Sequence, residues 1–159
     1  MTDAFREYLY RPAELAKELR DAEEQAHQLW AVCTKMTTSF GNIGGGGSGG
    51  DAKDGALAAY AELAKGIEKR RAELEETENE MKEFLISMYL DDSVYGMRDE
   101  MILRMKYLEH AKWDAIYRAL RRRGFWCGHL NTAYNWHRQA LARAEKYWEE
   151  THEPTEQAG

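Results

Sequence analysis

Apolar or small side chains at Leu15, Leu19, Ala22, Ala26, Leu29, Cys33, Met36 and Phe40 follow one another in alternating steps of four and three residues. That spacing keeps a single stripe on one side of an α-helix, whereas on a strand it would scatter across both faces. Glu, Lys, Arg and Gln fill the positions between, as suits a helix that is wet on its outer side. Such a seam is stable only when another helix covers it. Pro12 stands where a first helical turn tolerates proline, so the spacing predicts a helix over about residues 12–39.

The glycine-dominated stretch GNIGGGGSGGDAKDG, residues 41–55, then interrupts the pattern, and a flexible connector is expected there because glycine loses the most backbone freedom on ordering. A second repeat follows, with Tyr60, Ile67, Leu74, Met81 and Met88 each seven apart and Leu57, Leu63, Ala64, Phe84 and Leu85 beside them. This predicts a helix over about residues 54–90. Two such helices fold back as an antiparallel hairpin or pair with the same helices of another copy, so a homodimer or higher homo-oligomer is expected. A plain monomeric hairpin is the alternative, because Arg71 and Glu78 interrupt the second stripe.

The paired aspartates, serine and glycine of DDSVYG, residues 91–96, mark an expected domain boundary, giving a helical hairpin over residues 1–92. Beyond it the pattern predicts helices over about 97–109, 112–122 and 129–150, and residues 151–159 are too polar to pack and are expected to be disordered. The fold class expected is therefore all-α, a coiled-coil-like hairpin followed by a three-helix module over residues 97–150.

Charge is distributed unevenly along the chain. Residues 1–96 carry 11 Lys+Arg against 19 Asp+Glu, residues 97–148 carry 11 against 5, and residues 149–159 carry none against 4, so a block of +6 lies between blocks of −8 and −4. A basic block within an acidic chain is expected where one module meets a polyanion. No apolar run approaches the roughly 20 residues of a membrane span, and no signal peptide is visible, so a cytoplasmic protein without a membrane partner is expected. The two cysteines, Cys33 and Cys127, form no Cys-x-x-Cys pattern and are expected to be reduced thiols.

Within the basic block, Leu108, Trp113, Ile116, Tyr117 and Leu120 recur at helical spacing, as do Ala133, Trp136, Ala140 and Leu141. Two short amphipathic helices packed across a turn make a helix-turn-helix, with Leu108, Trp113, Ile116, Leu120, Trp136 and Leu141 as its core. The second helix then has His129, Asn131, Thr132, Asn135 and Arg138 free to reach base edges in a major groove, and Asn and Arg are the side chains able to pair bidentately with adenine and guanine. Arg118, Arg121, Arg122 and Arg123 are expected at phosphates, where charge positions a protein without reading sequence. The bland alternative makes these arginines a solvated helix end facing the C-terminal dipole.

ILRMKYLEHAKWDAI, followed by HRQAL, resembles the sigma-factor region 4-like helix-turn-helix of small phage-encoded transcriptional regulators of the ArpU/RinA type. The likeness extends to an N-terminal helix, a Gly/Ser-rich loop and a long charged helix upstream, as in phage proteins of Gram-positive hosts. It implies that Trp113 and Ile116 are core positions, that the helix carrying His137, Ala140 and Leu141 is the recognition helix, and that the protein acts in a bacterial host on phage or prophage DNA. The turn RRRGFWCGHL is longer than in that pattern, with 21 residues from Ile116 to His137, and Asn135 stands where an arginine is frequent.

Trp113, Trp136 and Trp148 lie on apolar stripes and are expected in the core, while Trp126 in the connector is expected to be exposed. His110, Cys127, His129 and His137 lack the spacing of a zinc module. No phosphate loop, nucleophile elbow or apolar carboxylate pair is present, so neither catalysis nor a cofactor is expected. The expected function is a DNA-binding transcriptional regulator whose partner is double-stranded DNA. An adaptor that contacts RNA polymerase or another host protein without reading DNA, and a small-terminase-like packaging accessory, are the alternatives.

Overall fold

The computed structural model describes the backbone of residues 1–39, 49–91 and 94–152. The protein is all-α: α1 spans Asp3–Ser39, α2 Gly49–Asp91, α3 Gly96–Leu103, α4 Trp113–Arg122 and α5 Leu130–His152, with no strand among the described residues. A π-helical turn, Arg104–Leu108, extends α3, and two residues past its end His110 has a φ of 51°, in the left-handed region. The chain divides into two compact units, one of residues 14–76 and one of residues 1–13 with 77–159.

In the unit of residues 14–76, α1 and α2 run antiparallel: Trp30 meets Tyr60 at 5.2 Å between ring centroids, and the Arg71 guanidinium reaches Glu23 at 2.8 Å. Ala22, Ala26 and Ile67 form the buried seam, with Leu19, Tyr60 and Leu63 packed against it. The expected stripe is thus buried or half-buried from Leu15 to Cys33, while Met36 and Phe40 lie outside the described side chains. Arg71, which interrupts the second stripe, turns outward to Glu23 and Glu68 instead of breaking the seam.

The other unit has two apolar clusters. Phe5 and Leu9 of α1, Met81, Phe84, Leu85 and Met88 of α2, Leu103 and Tyr107, and Ala140 and Ala144 of α5 form the first. The second joins Met101, Ile102, Ile116, Leu120, Cys127 and Ala133. Burying side chains of this size contributes about 1.5–3 kcal/mol each, and the alanines let α5 lie close to its neighbours.

Three expectations change. The first helix begins at Asp3, not near residue 12, and carries Pro12 inside it. Phe5, Leu9, Pro12 and Leu15 continue the stripe backwards and are all buried, which offsets the hydrogen bond that proline removes. The second helix begins at Gly49, inside the stretch expected to be a connector, because a long helix gains one hydrogen bond per added residue. Residues 41–48 of that stretch lie outside the described residues, as do 153–159, whereas Thr151 and His152 belong to α5. Finally, the division expected at residues 91–96 does not coincide with the compact units, because the last turns of α2 and the first of α1 share a core with α3 and α5. At the α2–α3 junction the backbones approach so closely that a Cβ on Gly96 would sit 2.5 Å from the Tyr89 carbonyl oxygen.

Candidate nucleic-acid interface

In α4, Ile116 and Leu120 are fully buried one turn apart, and Trp113 and Tyr117 pack on the same cluster, so the opposite side of the helix is left to charge. Arg118, Arg121, Arg122 and Arg123 are exposed. Arg121 caps the Tyr117 ring at 5.6 Å and donates to its hydroxyl at 3.2 Å. Arg118, Arg122 and Arg123 have no salt bridge with another described residue.

The helix ends in a Schellman turn. The Phe125 N–H donates to the Leu120 carbonyl at 3.0 Å and the Gly124 N–H to the Arg121 carbonyl at 3.1 Å, while Phe125 and Leu120 meet in one apolar cluster. Gly124 sits at φ 87°, which a side chain resists even though open space surrounds the site. Gly124→Ala is expected to lower stability by about 1–2 kcal/mol in chemical denaturation, through the backbone alone. An unchanged midpoint would show that the turn relaxes to another form.

Past the turn, the connector alternates between solvent and core. Trp126 is 88% exposed, as its place in the connector suggested, and Cys127 is 3% exposed. Burial pushes the Cys127 thiol up from its ordinary value, and its Sγ lies 3.5 Å from the His129 carbonyl, to which it donates. The Tyr117 hydroxyl donates to the Gly128 carbonyl at 3.5 Å. These contacts hold the long turn against α4. The Thr132 N–H donates to the His129 carbonyl at 3.0 Å where α5 begins.

Along α5, Asn131, Asn135 and Arg138 repeat at steps of four and three and are all exposed on one face; His129 is exposed just before the helix, and Thr132 is half-buried. Ala133, Ala140 and Ala144 occupy the opposite face with no exposure. Trp113, Ile116, Leu120 and Trp136 belong to one cluster, as expected of them. Leu108 and Leu141 do not join it. They pack on the cluster of Phe5, Met81 and Leu103, because the π turn rotates Leu108 and α5 presents different sides to the two cores.

His137 lies between these cores. Its Nε2 is 3.1 Å from the Tyr107 hydroxyl, its ring meets Trp113 edge-on at 5.0 Å, and the Tyr107 ring meets Tyr10 at 5.5 Å. Burial, and then the nearby Lys106 charge, lower its pKa from 6.5 to about 4. The imidazole is thus neutral in the fold, and between about pH 6.5 and pH 4 the unfolded chain binds the proton that the folded one refuses. Stability should fall on acidification through that window, with no further loss from this group below it. His137→Gln should flatten that limb in pH-resolved denaturation, and an equally steep limb in the variant would refute the assignment.

Sequence reasoning did not find the ionic centre of this unit. Asp99, 1% exposed, accepts two hydrogen bonds from Arg143, at 2.5 and 3.0 Å, and lies 3.3 Å from the Arg98 guanidinium. Arg98 stacks over Tyr95 and Trp136 at 4.9 and 4.7 Å, and Arg143 over the same Tyr95 at 4.7 Å. The pair ties α3 to α5. Two of the module's 11 basic residues are therefore paired with one buried carboxylate, and one of them, Arg98, is itself buried.

His110, Cys127, His129 and His137 do not converge, and among the described residues no group of three His, Cys, Asp or Glu side chains is placed to hold a metal ion. None of the described helices is long and apolar enough to cross a membrane. No family model, curated protein or solved structure matches the chain.

Proposed function

We propose that this chain is a phage-type transcriptional regulator that binds double-stranded DNA, with α4 and α5 acting as a sigma region 4-like helix-turn-helix. The observation that carries the reading is the four exposed arginines at the end of α4, three of them without a salt bridge to a described residue, together with the exposed Asn131, Asn135 and Arg138 on one face of α5. Unpaired cations suit phosphate contact, and exposed amide and guanidinium donors on the following helix suit base reading. The likeness of ILRMKYLEHAKWDAI and HRQAL to the ArpU/RinA type supports the phage assignment. The action is recruitment or occlusion at a promoter, not chemistry.

Self-association is the second part of the proposal. Ile86, Leu90, Val94 and Met97 are all exposed along a short run, Leu90 and Val94 by 73% and 74%, which is more apolar surface than scattered single residues provide. Salt-titrated binding of the full chain to duplex fragments around its own gene tests the first part, and light scattering tests the second. Salt-independent or absent binding, together with capture of RNA polymerase, would replace DNA reading by the adaptor role. A monomer at high micromolar concentration would remove self-association.

A further inference from the structure

At the end remote in sequence from the arginines, the first turns of α1, the last part of α2 and the last turns of α5 border a cleft of about 400 Å³. Its walls are rings. Tyr8 meets Phe84 edge-on at 5.4 Å, Phe84 meets Tyr147 at 5.5 Å, and His152 lies 6.2 Å from Tyr8 with Trp148 stacked behind it at 4.9 Å. Its rim is acidic: Glu80 and Glu83 line it, both exposed, and neither has a salt bridge with a described residue. No lysine or arginine is among the described residues lining the cleft.

Aromatic faces carry partial negative charge, so rings in this number attract an organic cation, and more strongly where carboxylates stand beside them. A neutral apolar guest would gain the ring contacts alone and would bury the carboxylates without a partner, which is unfavourable. An anion would meet two like charges. We infer that the cleft formed by Tyr8, Phe84, Tyr147 and His152 with Glu80 and Glu83 is a binding site for an alkylammonium group, as in a lysine side chain or a small aliphatic amine. Burial and the neighbouring Glu80 push the Tyr8 phenol up, so it remains a neutral ring wall at any pH the protein meets. The site does not depend on the DNA-binding reading, since no residue is shared.

The test is titration of the full chain at pH 8, followed by amide chemical shifts. The probes are n-butylammonium chloride, a blocked Gly-Lys-Gly peptide and n-pentanol as the neutral counterpart. Both ammonium probes are expected to saturate in the millimolar range and shift amides around residues 8, 84 and 147, with n-pentanol at least about fivefold weaker. Tighter binding of the peptide assigns the site to a lysine side chain, and tighter binding of the free amine assigns it to a small molecule. E80Q/E83Q, which changes exposed groups only, should weaken both ammonium probes about three- to tenfold and leave n-pentanol unchanged. Binding of n-pentanol as tight as that of n-butylammonium, no saturation by either cation up to 50 mM (about the ceiling of useful weak binding), or no effect of E80Q/E83Q would overturn the inference.

Discussion

Asp99→Ala is expected to remove about 3–5 kcal/mol of stability, the usual consequence of breaking a buried ion pair from one side. The carboxylate is nearly without exposure and is shared by Arg143 and Arg98, and Arg98 is itself buried. Its loss takes from both guanidinium groups the carboxylate they share, and leaves the buried Arg98 stacked on Tyr95 and Trp136 without Asp99 beside it. For a chain whose whole stability is of the order of 5–15 kcal/mol, this approaches unfolding. Asp99→Asn should recover part of the loss, since an amide oxygen still accepts from Arg143. Combining Asp99→Leu with Arg143→Met should recover more, because an apolar pair of similar volume avoids desolvating charge. Urea denaturation at pH 7 measures all three, and a loss below about 1 kcal/mol for Asp99→Ala would show that water reaches the pair and screens it.

The same pair shows why parts of the fold were legible in the sequence and others were not. The stripe from Leu15 to Cys33 and the sevenfold recurrence at Tyr60, Ile67, Leu74, Met81 and Met88 are local patterns that burial imposes turn by turn, and both are buried or half-buried as the spacing requires. Asp99 and Arg143 are 44 residues apart, and each stands among other charges, so neither carries a local mark of being buried. Phe5 and Leu9 were readable in principle, since they extend the stripe past Pro12, but proline reads as a helix start unless the core beyond it is known. Leu108 offered helical spacing with Trp113, yet Leu108 ends the π turn and the chain over 109–112 leaves the helix, with His110 at φ 51°, so the two do not share a face and Leu108 joins the other cluster. At the candidate interface, the outward Asn131, Asn135 and Arg138 followed from the apolar stripe on their own helix, whereas the left-handed Gly124 that ends α4 was not singled out. The aromatic and acidic cleft did not, because Tyr8, Glu80 and Tyr147 come from three helices and meet only in the folded chain.

Changing Arg121, Arg122 and Arg123 together to Ala is expected to cut duplex affinity for every sequence alike and to flatten its dependence on salt. Each phosphate contact releases about 0.9 of a counterion, so three lost contacts lower the slope of log K against log salt by about 2.7. Between 50 and 200 mM salt, a slope of that size corresponds to about 40-fold, so the wild type should lose about 40-fold more affinity than the variant over that range. Stability should barely change, since all three side chains are exposed at the end of α4 and the apolar face of that helix is untouched. Changing Asn131, Asn135 or Arg138 should act differently, costing about 1–3 kcal/mol on a preferred site and little elsewhere, with the salt slope nearly unchanged for the two asparagines. The distinction matters because a solvated helix end, the bland account of the same arginines, predicts no change in the salt slope when they are removed. Equal slopes for wild type and the triple variant would leave the arginines as solvent-facing charge and move any DNA contact to other residues of the basic block.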